Sequence, residues 1–234
     1  MILSLQKHNY MLIHLKNVLG TGDIKHVHEL LNQAQYVDGK LSAGKSAANV
    51  KNNLEVGSQE STLIEQLNQR VMGNLVRHKV YQRAALPLKI ASPFYACYEQ
   101  GMSYGEHIDD PVMGGQARYR SDLAVTVFLN APEEYEGGEL EIHTPYGMQS
   151  IKYPAGDAVL YPATTRHAVK TVTQGKRHVA VTWVQSLVKD ITHRQVLFEL
   201  SCAREKLLRK HPEESYTQQV DWAYVNLVRE WSEC

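Results

Sequence analysis

The stretch LAVTVFLN, Leu123 to Asn130, decides how the chain is read. Extended, it puts Leu123, Val125, Val127 and Leu129 on one face and Thr126 and Phe128 on the other, the period-2 pattern of a strand buried on at least one side. Six further β-rich runs lie around it: FYACYE, GELEIH, QSIKYP, DAVLYP, HAVKTVT and RHVAVTWVQS, separated by turn residues. Short strands spaced roughly 8–15 residues apart predict a sandwich or barrel over residues 80–186, not βαβ units.

Outward from this region the period changes to that of helices. Before it, apolar residues recur through IKHVHELLNQAQYV and TLIEQLNQRVMGNLV, the second opened by Thr62 and Glu65 in capping-box spacing. Between these segments DGKLSAGKSAANVKNN, residues 38–53, reads as a loop or short edge strands, and as a lid candidate. After Val188 two amphipathic helices are expected, one with a stripe of Val196, Leu197, Leu200, Leu207 and Leu208. The other carries Val220, Tyr224, Leu227, Val228 and Trp231. They are expected to pack on each other and on the sheet, and a homodimer through them is compatible with that. Three regions follow: 1–79 as N-terminal helical support, 80–186 as the β core and 187–234 as the C-terminal helical region.

Composition excludes several classes of partner. Lys+Arg and Asp+Glu both number 25, so net charge is zero, and no basic footprint for nucleic acid or anionic membrane results. Cys97, Cys202 and Cys234 are widely spaced and odd in number, which fits neither a disulfide framework nor a metal knuckle. The expected setting is cytoplasmic, with no secretory leader and no membrane span. Met11 offers a second plausible start, which makes residues 1–10 a candidate for a poorly ordered extension.

Chemistry enters with YGEHIDD, residues 104–110. His107 and Asp109 stand two apart, so a strand would aim both into one cavity. A short His-x-Asp is common by chance, and two ligands do not make a site. A third candidate, His167, opens a later strand of the same β region. Two histidines and one carboxylate form the facial triad of non-haem Fe(II) oxygenases, which leaves open positions for a bidentate 2-oxo acid and O2. Such a co-substrate needs a fixed cation for its far carboxylate. Arg177 is suited to this by its planar two-pronged donor, and it shares a strand face with Val179, Val181 and Trp183, whereas Lys176 should point outward. The competing role for Arg177 is a surface salt bridge.

Tyr98, nine residues before His107, could donate to the same carboxylate or simply be a core tyrosine. Trp183 is expected in the core, with Tyr104 and Thr126 as candidates for the pocket wall. His26, His28, His143 and His178 are assigned no metal role, His178 being expected to alternate outward. PEEYEGGE reads as a solvated turn.

In their order, Tyr98, YGEHID, LAVTVFLN, YEGGEL, AGDAVLYP, His167 and Arg177 resemble the prolyl and lysyl hydroxylase branch of the 2-oxoglutarate/Fe(II) dioxygenases. The chain is similar in particular to the bacterial PKHD-type hydroxylases associated with iron uptake. The resemblance extends through MLIHL, DGKLSAGKSAANVKNN, LPLKI, RSDLAVTVFLN, WVQSLVKD and RQVLFEL. It implies an α+β fold, a double-stranded β-helix or jelly roll flanked by N-terminal helices and a C-terminal helical pair. It further implies His107, Asp109 and His167 as iron ligands, Arg177 and Tyr98 at 2-oxoglutarate, O2 as second co-substrate, and ascorbate as an auxiliary reductant.

The alternatives are a non-catalytic metal or 2-oxo acid sensor on the same barrel and a cupin-type zinc or manganese isomerase. The hydroxylated substrate, a small molecule or a peptidyl group, is not named by the sequence. Residues 38–53 and PVMGGQARYRS after Asp110 are the candidate substrate contacts.

Overall fold

A computed structural model describes residues 11–45 and 47–233. The possible extension over residues 1–10 lies outside the described residues. Two antiparallel sheets face each other. The larger runs β1 (Ile13–Leu15), β14 (Ala158–Pro162), β10 (Leu123–Phe128), β17 (Arg177–Ser186), β6 (Phe94–Tyr98), β4 (Leu54–Val56) and β2 (Tyr36–Asp38), with β5 (Pro87–Ile90) also on β17. The smaller runs β13 (Gly147–Ile151), β12 (Leu140–Thr144), β15 (His167–Val169), β7 (Ser103–His107) and β3 (Lys51–Asn52). Two two-stranded pairs complete the strands: the hairpin of β8 (Val112–Met113) with β9 (Tyr119–Arg120), and the long-range pair of β11 (Tyr135–Gly137) with β16 (Val172–Gly175). This is the sandwich that the β-rich middle of the sequence predicted and the jelly roll that the family resemblance implied.

Strand β10 is buried along its whole length, because the sheet it centres is covered on both faces. Leu123, Val125, Val127 and Leu129 join the outer core, where α1 (Thr21–Leu31) contributes Val27, Leu30 and Leu31 and α2 (Ser61–Leu75) contributes Leu67, Val71 and Leu75. Ala124 and Phe128 enter the second core, between the sheets, with Ile142, Val169 and Val172. The period-2 strand and the i, i+3, i+4 helix stripes thus meet on one surface.

The N-terminal third, read as largely helical, also supplies β1, β2, β3 and β4, runs of two or three residues, too short to display alternation. Helix α2 starts at Ser61, flanked by Glu60 without a side-chain cap, so Thr62 is inside the first turn and the expected capping box does not form.

In α4 (Ile191–Lys210) the buried apolar residues are Leu197 and Phe198, whereas Val196 and Leu208 face solvent; on the core side the helix packs on α3 (Lys79–Ala85). Helix α5 (Ser215–Trp231) lies on α4, tied by an Arg204–Asp221 ion pair at 2.5 Å and by His193 stacked on Trp231 at 4.1 Å. Its stripe of Val220, Tyr224, Leu227, Val228 and Trp231 is half-buried there.

His178 does alternate away from Arg177, yet it meets protein and not solvent. Its Nδ1–H and backbone N–H both donate to Asn130 Oδ1, and its ring lies against His28 and Tyr36. Burial, with His28 adding to it, pushes the imidazole down to about 4. The unfolded chain binds this proton near pH 6.5, so native stability is full above that pH and declines as pH falls toward 4. The loss expected is roughly 3 kcal/mol, and His178→Gln should flatten that part of the pH-stability curve in urea melts.

Candidate metal centre

The pairing of β15 with β7 sets His167 directly opposite His107, and Asp109 follows as the chain leaves β7. One ligand atom from each of the three lies within 4.8 Å of the others. The two rings are 4.3 Å apart, and His167 Nε2 is 3.8 Å from Asp109 Oδ1. Each imidazole is oriented by a carbonyl: His107 Nδ1–H donates to Gly105 O at 2.8 Å and His167 Nδ1–H to Thr165 O at 2.9 Å. With the proton held on Nδ1, the lone pair of each Nε2 is available to a metal. Tyr104 stacks on His107 at 3.6 Å and Tyr161 meets His167 edge-on at 5.2 Å, so neither ring can swing freely.

The electrostatics of the group are those of a site built around a cation. Burial first, and then His167 and Lys51, push His107 down to about 3, against the Gly105 carbonyl, so it stays neutral. Burial pushes the Asp109 carboxyl upward, opposed by His167 and by the nearby Trp183 indole N–H. Asp109 Oδ2 is buried and has no hydrogen-bond partner. A divalent metal among the three would satisfy this oxygen and compensate its charge. The donors fit Fe(II): two neutral imidazoles and one carboxylate.

These residues line one cavity of about 480 Å³, and Arg177, Tyr98, Thr126, Tyr104 and Trp183 line it too. Arg177 is 1% exposed, and its Nε and Nη1 are buried without partners. A salt bridge at the surface is therefore not its role. Its guanidinium stands 5.0 Å from the Tyr98 ring and 5.9 Å from the Phe128 ring, and Tyr98 is its direct cross-strand neighbour. Lys176 points out to Glu99 at 2.7 Å.

Three expectations change. Trp183 is half-buried, packed against the inter-sheet core on one side and forming cavity wall on the other. The run PEEYEGGE is not all solvated turn: Tyr135 is 3% exposed, with its hydroxyl buried beside Arg177. Gly138, at φ +66°, allows this close approach, since a Cβ there would meet Arg177 Cδ at 3.0 Å. A single aromatic inside the acidic run was the only signal for Tyr135. Lys51, Asn53 and Glu55 also face the cavity, from a segment that reads as a polar loop because its strands are so short.

Residues 93–185 match the family model described as the 2OG-Fe(II) oxygenase superfamily, a span that holds the triad, Tyr98 and Arg177. PKHD-type hydroxylase PiuC of Pseudomonas aeruginosa is 39% identical over 226 residues, 95% of this chain and 100% of that protein. A PKHD-type hydroxylase of Thioalkalivibrio sulfidiphilus is 44% identical over 224 residues, again 95% of this chain and 100% of that protein. The chain belongs to the PKHD-type hydroxylases.

The fold agrees with this family. A prolyl hydroxylase from Trichoplax adhaerens, in complex with a peptide fragment, superposes with TM-score 0.52 at 14% identity over 81% of this chain and 87% of that one. A prolyl-4-hydroxylase from Pseudomonas putida gives 0.50 at 13% identity over 76% and 94%. As a PKHD-type hydroxylase the protein is an Fe(II)- and 2-oxoglutarate-dependent dioxygenase that consumes O2 and hydroxylates a substrate. Among the described residues no helix is long and apolar enough to cross a membrane.

Proposed function

We propose that His107 and His167, through Nε2, and Asp109, through its carboxylate, hold the iron of this hydroxylase, and that Arg177 with Tyr98 binds the far carboxylate of 2-oxoglutarate. The observation that carries this reading is a single cavity with a cation-seeking triad and a buried guanidinium that has two unpartnered nitrogens. When bound, Fe(II) and 2-oxoglutarate supply the oxidation: O2 decarboxylates the 2-oxo acid to succinate and CO2 and leaves one oxygen atom on a substrate carbon.

The chain's own residues do the rest. Arg177 offers a planar pair of donors, and its burial excludes the water that would otherwise weaken them. Tyr98, its pKa pushed up to about 12 chiefly by burial, keeps its proton and acts as a donor. Tyr104 and Tyr161 keep the imidazoles in position.

The charges of a divalent metal, Asp109, Arg177 and a doubly negative 2-oxo acid cancel, and Lys51 pairs with Glu55 within the same wall. The remaining charge on the lining is the Asp110 carboxylate, so an anionic group entering this loaded cavity would be buried without compensation, and the reacting part of the substrate is neutral or cationic. It belongs to a small molecule or a peptide. Ala43, Gly44 and Ala47 on one side and Ile108, Val112, Met113 and Tyr119 on the other border the space it would enter, which supports the two loops as substrate contacts.

The regional division at residues 79 and 186 is part of the same reading, supported by the family match over 93–185. A homodimer through the C-terminal helices is supported by Trp222 and Val225, exposed on α5. A reducing, cytoplasmic site of action is supported by free thiols at Cys97 and Cys202, and the link with iron uptake by the resemblance alone.

The test is an oxygen-free titration with Fe(II) and 2-oxoglutarate followed by an oxygen pulse and succinate measurement. Succinate formed in proportion to enzyme and metal, and increased by cell extract or siderophore-like compounds, is the expected result. Tight binding of both without any succinate would instead make the protein a sensor.

A further inference from the structure

Asn53 sits where the chain changes sheets. β3 sets Lys51 against Tyr104 in the smaller sheet, while β4 sets Leu54 against Cys97 and Glu55 against Ala96 in the larger one. Continued by one residue, that register brings Asn53 opposite Tyr98, which in turn lies opposite Arg177 on β17. The three side chains form one row across β4, β6 and β17, all lining the cavity.

The carboxamide of Asn53 is 3% exposed, and both Oδ1 and Nδ2 are buried with no hydrogen-bond partner. Buried amides are nearly always paired, so one left open in a cavity wall has a partner still to meet. Its position is tightly held. Lys51 and Glu55 flank it and close a buried ion pair at 2.5 Å, with Lys51 also donating to Ser42 Oγ at 2.9 Å. Gly39 N–H donates to the Asn53 carbonyl at 2.9 Å, and a methyl group on Gly39 would overlap the Asn53 carboxamide. Across the row from the carboxamide stands the Tyr98 hydroxyl, a group able to answer Nδ2.

We propose that Asn53 is a positioning residue for the co-substrate: its Nδ2–H donates to the Tyr98 hydroxyl oxygen and directs the one phenolic proton toward the far carboxylate beside Arg177. This rests on Arg177 and Tyr98 being the anchor of that carboxylate. A phenol both accepts and donates, and with an amide N–H on its oxygen the remaining proton goes to the strongest acceptor in reach. The same amide donor polarises the O–H and strengthens the bond it makes.

The experiment measures oxygen-free binding to the full-length, Mn(II)-loaded protein by calorimetry, with 2-oxoglutarate and with 2-oxobutanoate, which has no far carboxylate. Asn53→Ala is expected to weaken 2-oxoglutarate about tenfold and 2-oxobutanoate hardly at all. Gly39→Ala, which displaces the carboxamide without removing it, is expected to do the same and serves as the second route if Asn53→Ala folds poorly. In a Tyr98→Phe background Asn53→Ala should add nothing further. Equal losses for the two acids, or losses that add in the double variant, would overturn the proposal. If Arg177→Ala itself left 2-oxoglutarate affinity unchanged, the anchor assignment would be the one to fail.

Discussion

Asp109→Ala is expected to abolish metal-dependent succinate formation, by about a thousandfold or more, while raising the melting temperature of the metal-free protein. The two effects have one cause. Asp109 is a carboxylate buried with an unpartnered oxygen, and burial already pushes its pKa upward, so without a cation it opposes folding. With a cation it supplies the anionic ligand of the site. Losing that removes several kcal/mol of metal-dependent stabilisation, and each ~1.4 kcal/mol is tenfold in rate. Scanning calorimetry with and without Mn(II) checks both halves: the variant should melt a few degrees higher without metal and gain nothing from it. A variant that still gains stability from Mn(II) and still makes succinate would place the metal elsewhere.

Arg177→Met should weaken 2-oxoglutarate about a hundredfold and leave metal affinity nearly unchanged. Truncating one partner of a buried, hydrogen-bonded charge pair costs roughly 2–5 kcal/mol, because the other charge is left unpaired. Here the side chain is 1% exposed and two of its nitrogens have no partner of their own, so the dianion is what completes them. Two comparisons sharpen the test. Arg177→Lys keeps the charge but loses the planar pair of donors, and should recover only part of the affinity. And 2-oxoglutarate should raise the melting temperature of the Mn(II)-loaded wild type but not that of Arg177→Met. If Arg177→Met binds 2-oxoglutarate as the wild type does, the cavity's guanidinium has another purpose.

How the site could be read in the sequence depended on spacing along the chain. His107 and Asp109 share a strand end, and Arg177 shares a strand face with Val179, Val181 and Trp183, so period-2 reasoning brings these side chains to one cavity. His167 could be proposed because it opens a strand of its own. Tyr135 could not, since an acidic run with two glycines looks like a turn, and only the pairing of β11 with β16 shows that its ring is folded under Arg177. Asn53 and the Lys51–Glu55 pair were hidden for the related reason that β3 and β4 are two and three residues long. Strands so short carry no periodicity, and their conformation comes from the sheets they join.

By itself the sequence determined the alternation that makes the middle of the chain a β core, the helical flanks, and the residue types able to hold iron and a dicarboxylate; that α3 (Lys79–Ala85) is a helix, where β structure was expected to begin, it did not show. Those properties are local: a period of 2 or 3.6, a His-x-Asp at a strand end, an arginine on an inward face. Only the tertiary structure decided that His167 stands opposite His107, that Arg177 is sealed beneath Tyr98 and Tyr135, and that residues 51–55 cross between sheets to form a cavity wall. Register between distant strands is set by the burial of whole faces at once, and no window of sequence contains both partners.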